Sequence, residues 1–140
     1  MRATTWKTFA AALIAAAALA GCGGPLKYAV KGTDKAPELD AQIVADVNRD
    51  AAMTSIKISA EHLAPPDRLA SGGKVFVVWT KGEKPKWHRV GALKYDEGSR
   101  KAGIEGASVP VTAFDLQITV EKDPAPDAPS SDVVLQQHVN

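Results

Sequence analysis

From residue 26 onward the chain is written in short stretches where apolar and polar side chains alternate. Leu26 to Val30 alternates and predicts a first strand, while Thr33 to Asp40, with Gly32 before it and Pro37 inside, reads as a loop. Ala41 to Asn48 places Ile43, Ala45 and Val47 on one face and Gln42, Asp46 and Asn48 on the other, the period of a half-buried strand. Asn48-Arg49-Asp50 reads as a turn. Thr54 to His62 repeats the pattern, with Ile56, Ile58 and Ala60 opposite Ser55, Lys57, Ser59 and Glu61, and Pro65-Pro66 ends it.

After Ser71-Gly72-Gly73 the pattern changes. Val75-Phe76-Val77-Val78-Trp79 is continuously apolar and rich in branched and aromatic residues, which predicts a central strand buried on both faces. Trp87 to Tyr95 and Arg100 to Glu105 read as further strands, with Gly106 to Pro110 as a loop. Phe114 to Glu121 returns to strict alternation, Leu116, Ile118 and Val120 inward and Asp115, Gln117, Thr119 and Glu121 toward solvent. Pro124, Pro126 and Pro129 make Asp123 to Ser131 too proline-dense for a helix or a central strand. Val133 to Val139 supplies a last strand.

About seven or eight strands, separated by turn signals and without a helix after the N-terminal segment, predict an all-β fold. The expected form is an antiparallel immunoglobulin-like β-sandwich over residues 26–140. Val77, Trp79, Ile58, Leu116, Ile118 and Val120 are its expected core.

The first 21 residues follow a different logic. Arg2 and Lys7 precede an unbroken apolar run from Phe9 to Ala20, the layout of a cleaved helical export signal. As a helix that run extends about 18 Å at roughly 1.5 Å per residue, short of the roughly 30 Å hydrocarbon core of a bilayer. It ends at Leu19-Ala20-Gly21-Cys22, which contains the only cysteine. This stretch resembles the lipobox of bacterial lipoproteins, an aliphatic residue and two small residues before cysteine. The resemblance implies recognition of Leu19, Ala20 and Gly21 by a signal peptidase, cleavage before Cys22 and diacylglyceryl transfer to its thiol, whose two acyl chains give an anchor that one does not. Residues 22–25 then form a lipidated tether. Gly23, standing where an aspartate commonly marks retention at the inner membrane in such lipoproteins, favours the outer membrane. An uncleaved anchor and ordinary secretion are the alternatives.

Charge narrows the partners. The whole chain has 17 Lys and Arg against 16 Asp and Glu; loss of Arg2 and Lys7 with the signal makes the balance slightly acidic, which argues against nucleic acid. A lone cysteine excludes an internal disulfide, so packing has to hold the domain together.

The segment from Val75 to Leu135 is similar to the extracytoplasmic C-terminal domain of anti-sigma-K factors. The matching pieces are Phe76-Val77-Val78-Trp79, Gly91-Ala92-Leu93, Phe114 with Ile118-Thr119-Val120-Glu121, and Val133-Val134-Leu135 after the proline-rich turn. The resemblance implies an immunoglobulin-like sandwich outside the cytoplasm. It does not carry over anti-sigma activity, because the family's sigma-binding segment has no counterpart among these residues.

Catalytic chemistry finds little footing in the sequence. His62, His88 and His138 lack a metal-ligand spacing, the serines lack a Gly-x-Ser-x-Gly elbow, and Glu61, Glu105 and Glu121 fall on expected solvent faces. No cofactor is expected; a small copper carrier or enzyme is the remote alternative. One surface feature stands out. Lys81, Lys84, Lys86, His88 and Arg89 crowd a hairpin around Trp87, which makes Lys84, Lys86, Trp87 and Arg89 candidate contacts for an envelope partner, or else a charged guard for a sheet edge. The expected function is a membrane-anchored envelope lipoprotein serving as a non-catalytic binding or structural module, with a sensory or regulatory lipoprotein as the alternative.

Overall fold

A computed structural model of the protein describes residues 24–140; the signal segment and Leu19 to Cys22 lie outside the described residues. Nine strands follow in order: β1 (Leu26–Lys31), β2 (Asp40–Asn48), β3 (Met53–Glu61), β4 (Val75–Lys81), β5 (His88–Ala92), β6 (Lys94–Asp96), β7 (Lys101–Val109), β8 (Phe114–Glu121) and β9 (Val133–Val139). A four-residue helix, α1 (Pro66–Leu69), begins where Pro65-Pro66 stops β3; proline is tolerated there because the first helical N–H has no intrahelical partner.

The strands form two antiparallel sheets, β1-β2-β3-β7-β6 and β5-β4-β8-β9. Taken as strands A, B, E and D, β2-β3-β7-β6 reproduce one immunoglobulin sheet, and β4-β8-β9 reproduce C, F and G with β5 beside C. The fold is an all-β, immunoglobulin-like sandwich, and β1 adds one strand to the outside of β2. Leu26 pairs with Ala45 and Lys31 with Asp40 in that addition. Next to it, Thr33 donates its N–H to the Val134 carbonyl at 2.9 Å and its hydroxyl to that of Val133 at 2.6 Å, so the loop after β1 stitches the two sheets together.

The core lies between the sheets. Ile43, Ile56 and Ile58 from one sheet meet Phe76, Val78, Leu116, Ile118 and Leu135 from the other, all at most 1% exposed. Fully burying each such side chain contributes about 1.5–3 kcal/mol. Tyr95 closes one end: its ring meets Phe76 edge-on at 5.3 Å between centroids, and its hydroxyl donates to the Leu63 carbonyl at 2.7 Å. At the same end Gly73 passes so close to the Pro66 carbonyl that a Cβ would stand 2.5 Å from its oxygen.

Three local expectations are corrected. The segment Trp87 to Tyr95 is two strands, because the chain crosses between sheets at Leu93, whose N–H bonds to Phe76 while β5 pairs with β4 and β6 with β7. Gly106 to Val109 continues β7 and is not a loop: Ile56 pairs with Ala107 but Ile58 with Ile104, so an extra residue bulges out, and Gly106 takes the left-handed turn at φ +65. The third correction concerns the far side of β8. Leu116, Ile118 and Val120 face the core as expected, but Gln117, Thr119 and Glu121 are buried too, at 5%, 0% and 6% exposure.

Trp79 and Val77 explain that burial. Both are buried as expected, yet they stand outside the inter-sheet cluster, on the opposite side of β4 from Phe76 and Val78. The proline-rich segment 123–131 folds back over this outer face as a strap. It is held where Ser130 donates its N–H to the Glu121 carboxylate at 3.0 Å and its hydroxyl to the Val120 carbonyl at 2.8 Å, and where Arg89 donates to the Pro126 carbonyl at 2.6 Å. β4 is thus buried on both faces, by the second sheet on one side and by the strap on the other.

Candidate functional site

The hairpin between β4 and β5 is built by its own residues. β4 ends at Lys81; the N–H of Lys86 then reaches the carbonyl of Lys84 at 2.8 Å, a three-residue turn around Pro85 that throws Lys84 and Lys86 outward. Both lysines are exposed, and no ion pair among the described residues involves either one. Trp87 is half-buried, with the Lys81 ammonium 4.8 Å from its ring centroid, a cation–π contact.

Of the four candidate contacts, the structure keeps Lys84, Lys86 and Trp87 together at the surface and turns Arg89 away. Arg89 lies opposite Trp79 in the β4–β5 register and spends its guanidinium on the strap. Trp87 is neither tucked under the sheet edge nor fully exposed. It lines a groove of about 380 Å³ with Lys81, Asp115, Gln136 and His138, in which His138 Nδ1 and the Asp115 carboxylate are 2.7 Å apart.

A second concavity opens beside the hairpin, at the end of the sandwich. This cleft of about 540 Å³ is lined by Thr80, Lys84 and His88 on one side and by Val109, Pro110 and Val111 on the other. The apolar run Val109-Pro110-Val111 was its available sequence signal; the pairing of Asp115 with His138 had none, because it depends on the register between β8 and β9.

No family model matches the chain, and no curated protein or solved structure matches it either.

The buried polar side chains on the outer face of β8 are tied into the fold. The Trp79 indole N–H donates to the Thr119 hydroxyl at 2.9 Å, Thr119 donates onward to the Glu121 carboxylate, and the Ser130 N–H occupies the same carboxylate. Glu121, expected on a solvent face, is instead the buried anchor of the strap. No buried side-chain N or O among the described residues lacks a partner. The histidines are spread over the sandwich. His62 sits beside Asp40 at 3.3 Å on the five-stranded sheet, whereas His88 and His138 lie on β5 and β9, separated by β4 and β8 and hence by roughly 14 Å at the usual strand spacing. No group of three or more His, Cys, Asp and Glu side chains among the described residues converges on one point.

Two carboxylates are held below their usual range. Asp40 is lowered first by the hydrogen bond from Lys31 and then by that from His62. Asp96 is lowered by the Ser99 hydroxyl and the Gly98 N–H. Both stand on open surface and organise local turns and edges.

Proposed function

We propose that this protein is a lipid-anchored lipoprotein of a bacterial envelope, probing or bracing its surroundings as a non-catalytic binding or structural module. The observation that supports the reading is a spacing. Leu26 already pairs with Ala45, so Gly23, Gly24 and Pro25 alone separate the candidate lipid acceptor Cys22 from the folded sandwich. A secreted domain has no need for a cysteine placed there, whereas an anchor at that point holds the domain against the bilayer. No helix among the described residues is long and apolar enough to cross a membrane. The likeness of Val75 to Leu135 to the outer domain of anti-sigma-K factors supports the same side of the membrane, and Gly23 supports the outer membrane.

In this reading the recognition surface is the hairpin, with Lys84, Lys86 and Trp87 outward. The half-exposed tryptophan supports an envelope contact over a purely structural role, since a large aromatic ring beside exposed cations is a common contact residue. Mass measurement of the mature N-terminus in a bacterial host tests the anchor. A chain beginning at a diacylglyceryl-modified Cys22 is expected, with Cys22→Ser accumulating as the unprocessed precursor. An unmodified thiol, or a polypeptide still starting at Met1, overturns the reading.

A further inference from the structure

The two ends of the sandwich differ in charge, and the chain enters at one of them. Register places the start of β1 (Leu26 opposite Ala45), the turn 49–52, the hairpin 82–87 and the loop 110–113 at the same end. The loops at that end hold Arg49, Lys84 and Lys86 against Asp50 and Glu83, and at their rim Lys81 stands opposite Asp115. The opposite end, formed by loops 32–39, 62–74, 97–100 and 122–132, carries seven carboxylates and five basic side chains. A chain that is nearly neutral overall is therefore polarised, with its positive end toward the tether.

The tether sets the distance. Four residues from Cys22 to Leu26 extend at most about 14 Å at roughly 3.3–3.6 Å each. β2 runs three residues beyond Ala45 to Asn48, about 10 Å in the same direction. An acyl chain on Cys22 thus holds the basic end within a few ångströms of the lipid headgroups, inside the roughly 8 Å screening length at physiological salt. Trp87 adds the ring type that settles at headgroup depth, and Lys81 above it keeps a cation at the same level.

We infer that the hairpin end, through Lys81, Lys84, Lys86 and Trp87, docks on anionic phospholipid headgroups of the membrane that holds Cys22. This rests on the lipoprotein reading and adds an orientation to it: the sandwich stands end-on, with the strap and the more acidic end pointing away from the bilayer. The apolar cleft beside the hairpin, lined by Val109 and Val111, then faces the lipid surface as well.

The mature chain from Cys22, coupled through its thiol to a maleimide lipid, tests docking whether or not a cell acylates that cysteine, so its failure is separate from failure of the anchor. Tryptophan emission is measured in vesicles of phosphatidylcholine alone and with phosphatidylglycerol, each containing lipid brominated near the headgroup. Docking predicts at least two-fold stronger quenching with phosphatidylglycerol. The gain should disappear in Lys84→Glu/Lys86→Glu, in Trp87→Phe, and in about 1 M salt, where the screening length falls to roughly 3 Å. Each lysine removed should weaken the interaction by about five-fold. Quenching that is equal in the two lipids, or unchanged by the double charge reversal, overturns the inference and leaves the hairpin to a protein partner.

Discussion

On the outer face of the five-stranded sheet Lys57 pairs with Glu105 at 3.1 Å and Lys101 with Glu61 at 3.6 Å, all four side chains more than half exposed. On the outer face of the four-stranded sheet the corresponding strand positions hold Gln117, Thr119 and Glu121, and all three are buried. Strands of the same alternating type therefore meet opposite environments. The difference lies in what comes after β8. Segment 123–131 has nowhere to pair as a strand, because its prolines remove ladder donors, and it folds back to Glu121 and Arg89 on the face of the sheet that carries Val77 and Trp79. An exposed ion-pair ladder contributes at most about 1 kcal/mol per pair, whereas a covered tryptophan with its indole bonded belongs to the energetics of a core.

Trp79 and Lys57 put that contrast to its strongest test. Trp79→Ala is expected to cost about 3–5 kcal/mol in urea denaturation, and Lys57→Ala to stay within about 0.5 kcal/mol of the parent protein. Comparable losses at the two positions would falsify the view that one outer face is a second core and the other a solvated surface.

Glu121 comes next in size. Its carboxylate receives the Thr119 hydroxyl and the Ser130 N–H on one and the same oxygen, so Glu121→Gln replaces that oxygen by a weaker-accepting amide oxygen for both bonds at once and should cost about 1–2 kcal/mol. Hydrogen exchange at the Ser130 amide should speed up along with the loss. Glu105→Gln, on the open face, should leave both readings unchanged. A Glu121→Gln protein with unchanged exchange at Ser130 would mean that an amide oxygen serves the strap as well as the carboxylate does.

Tyr95 separates burial within the sandwich from cover by the strap. Tyr95→Phe removes the bond to Leu63 and should cost about 1 kcal/mol. Burial, with a smaller contribution from Glu97, pushes the phenol above its ordinary value of 10.0. The folded state thus favours the protonated ring, a contribution complete below pH 10 and lost as the pH rises through the elevated folded value. The stability difference between the parent and Tyr95→Phe should shrink in that range and stay level below it.

Most of the sandwich was legible in the sequence because period-2 alternation in β2, β3 and β8 needs no knowledge of partners. The buried central strand was legible as well, from the unbroken run Val75 to Trp79. The fate of Gln117, Thr119 and Glu121 was not, since polarity within a strand records what a side chain tolerates, and a polar side chain tolerates burial once its partners arrive from elsewhere in the chain. The split of Trp87 to Tyr95 escaped for a related reason: Leu93 crosses between sheets through a bond to Phe76, a long-range contact with no local mark. The hairpin's lysines and Trp87 were legible as a cluster, but the loss of Arg89 to Pro126 depends on where the strap lies.

Asp40 gives the smallest expected effect and the cleanest check on the open face. Lys31 and His62 hold its carboxylate below the ordinary 3.8, so ionised Asp40 stabilises the fold above that value and the contribution disappears as the pH falls through the depressed folded value. Asp40→Asn should therefore be slightly less stable than the parent near neutrality and equal to it in strong acid. About 1 M salt should narrow the neutral-pH gap, because both partners stand in water and are screened. Glu121→Gln should show no such narrowing, since the bonds of Glu121 are closed off under the strap. A salt response of equal size at the two positions would place the two faces in one dielectric environment and remove the distinction between them.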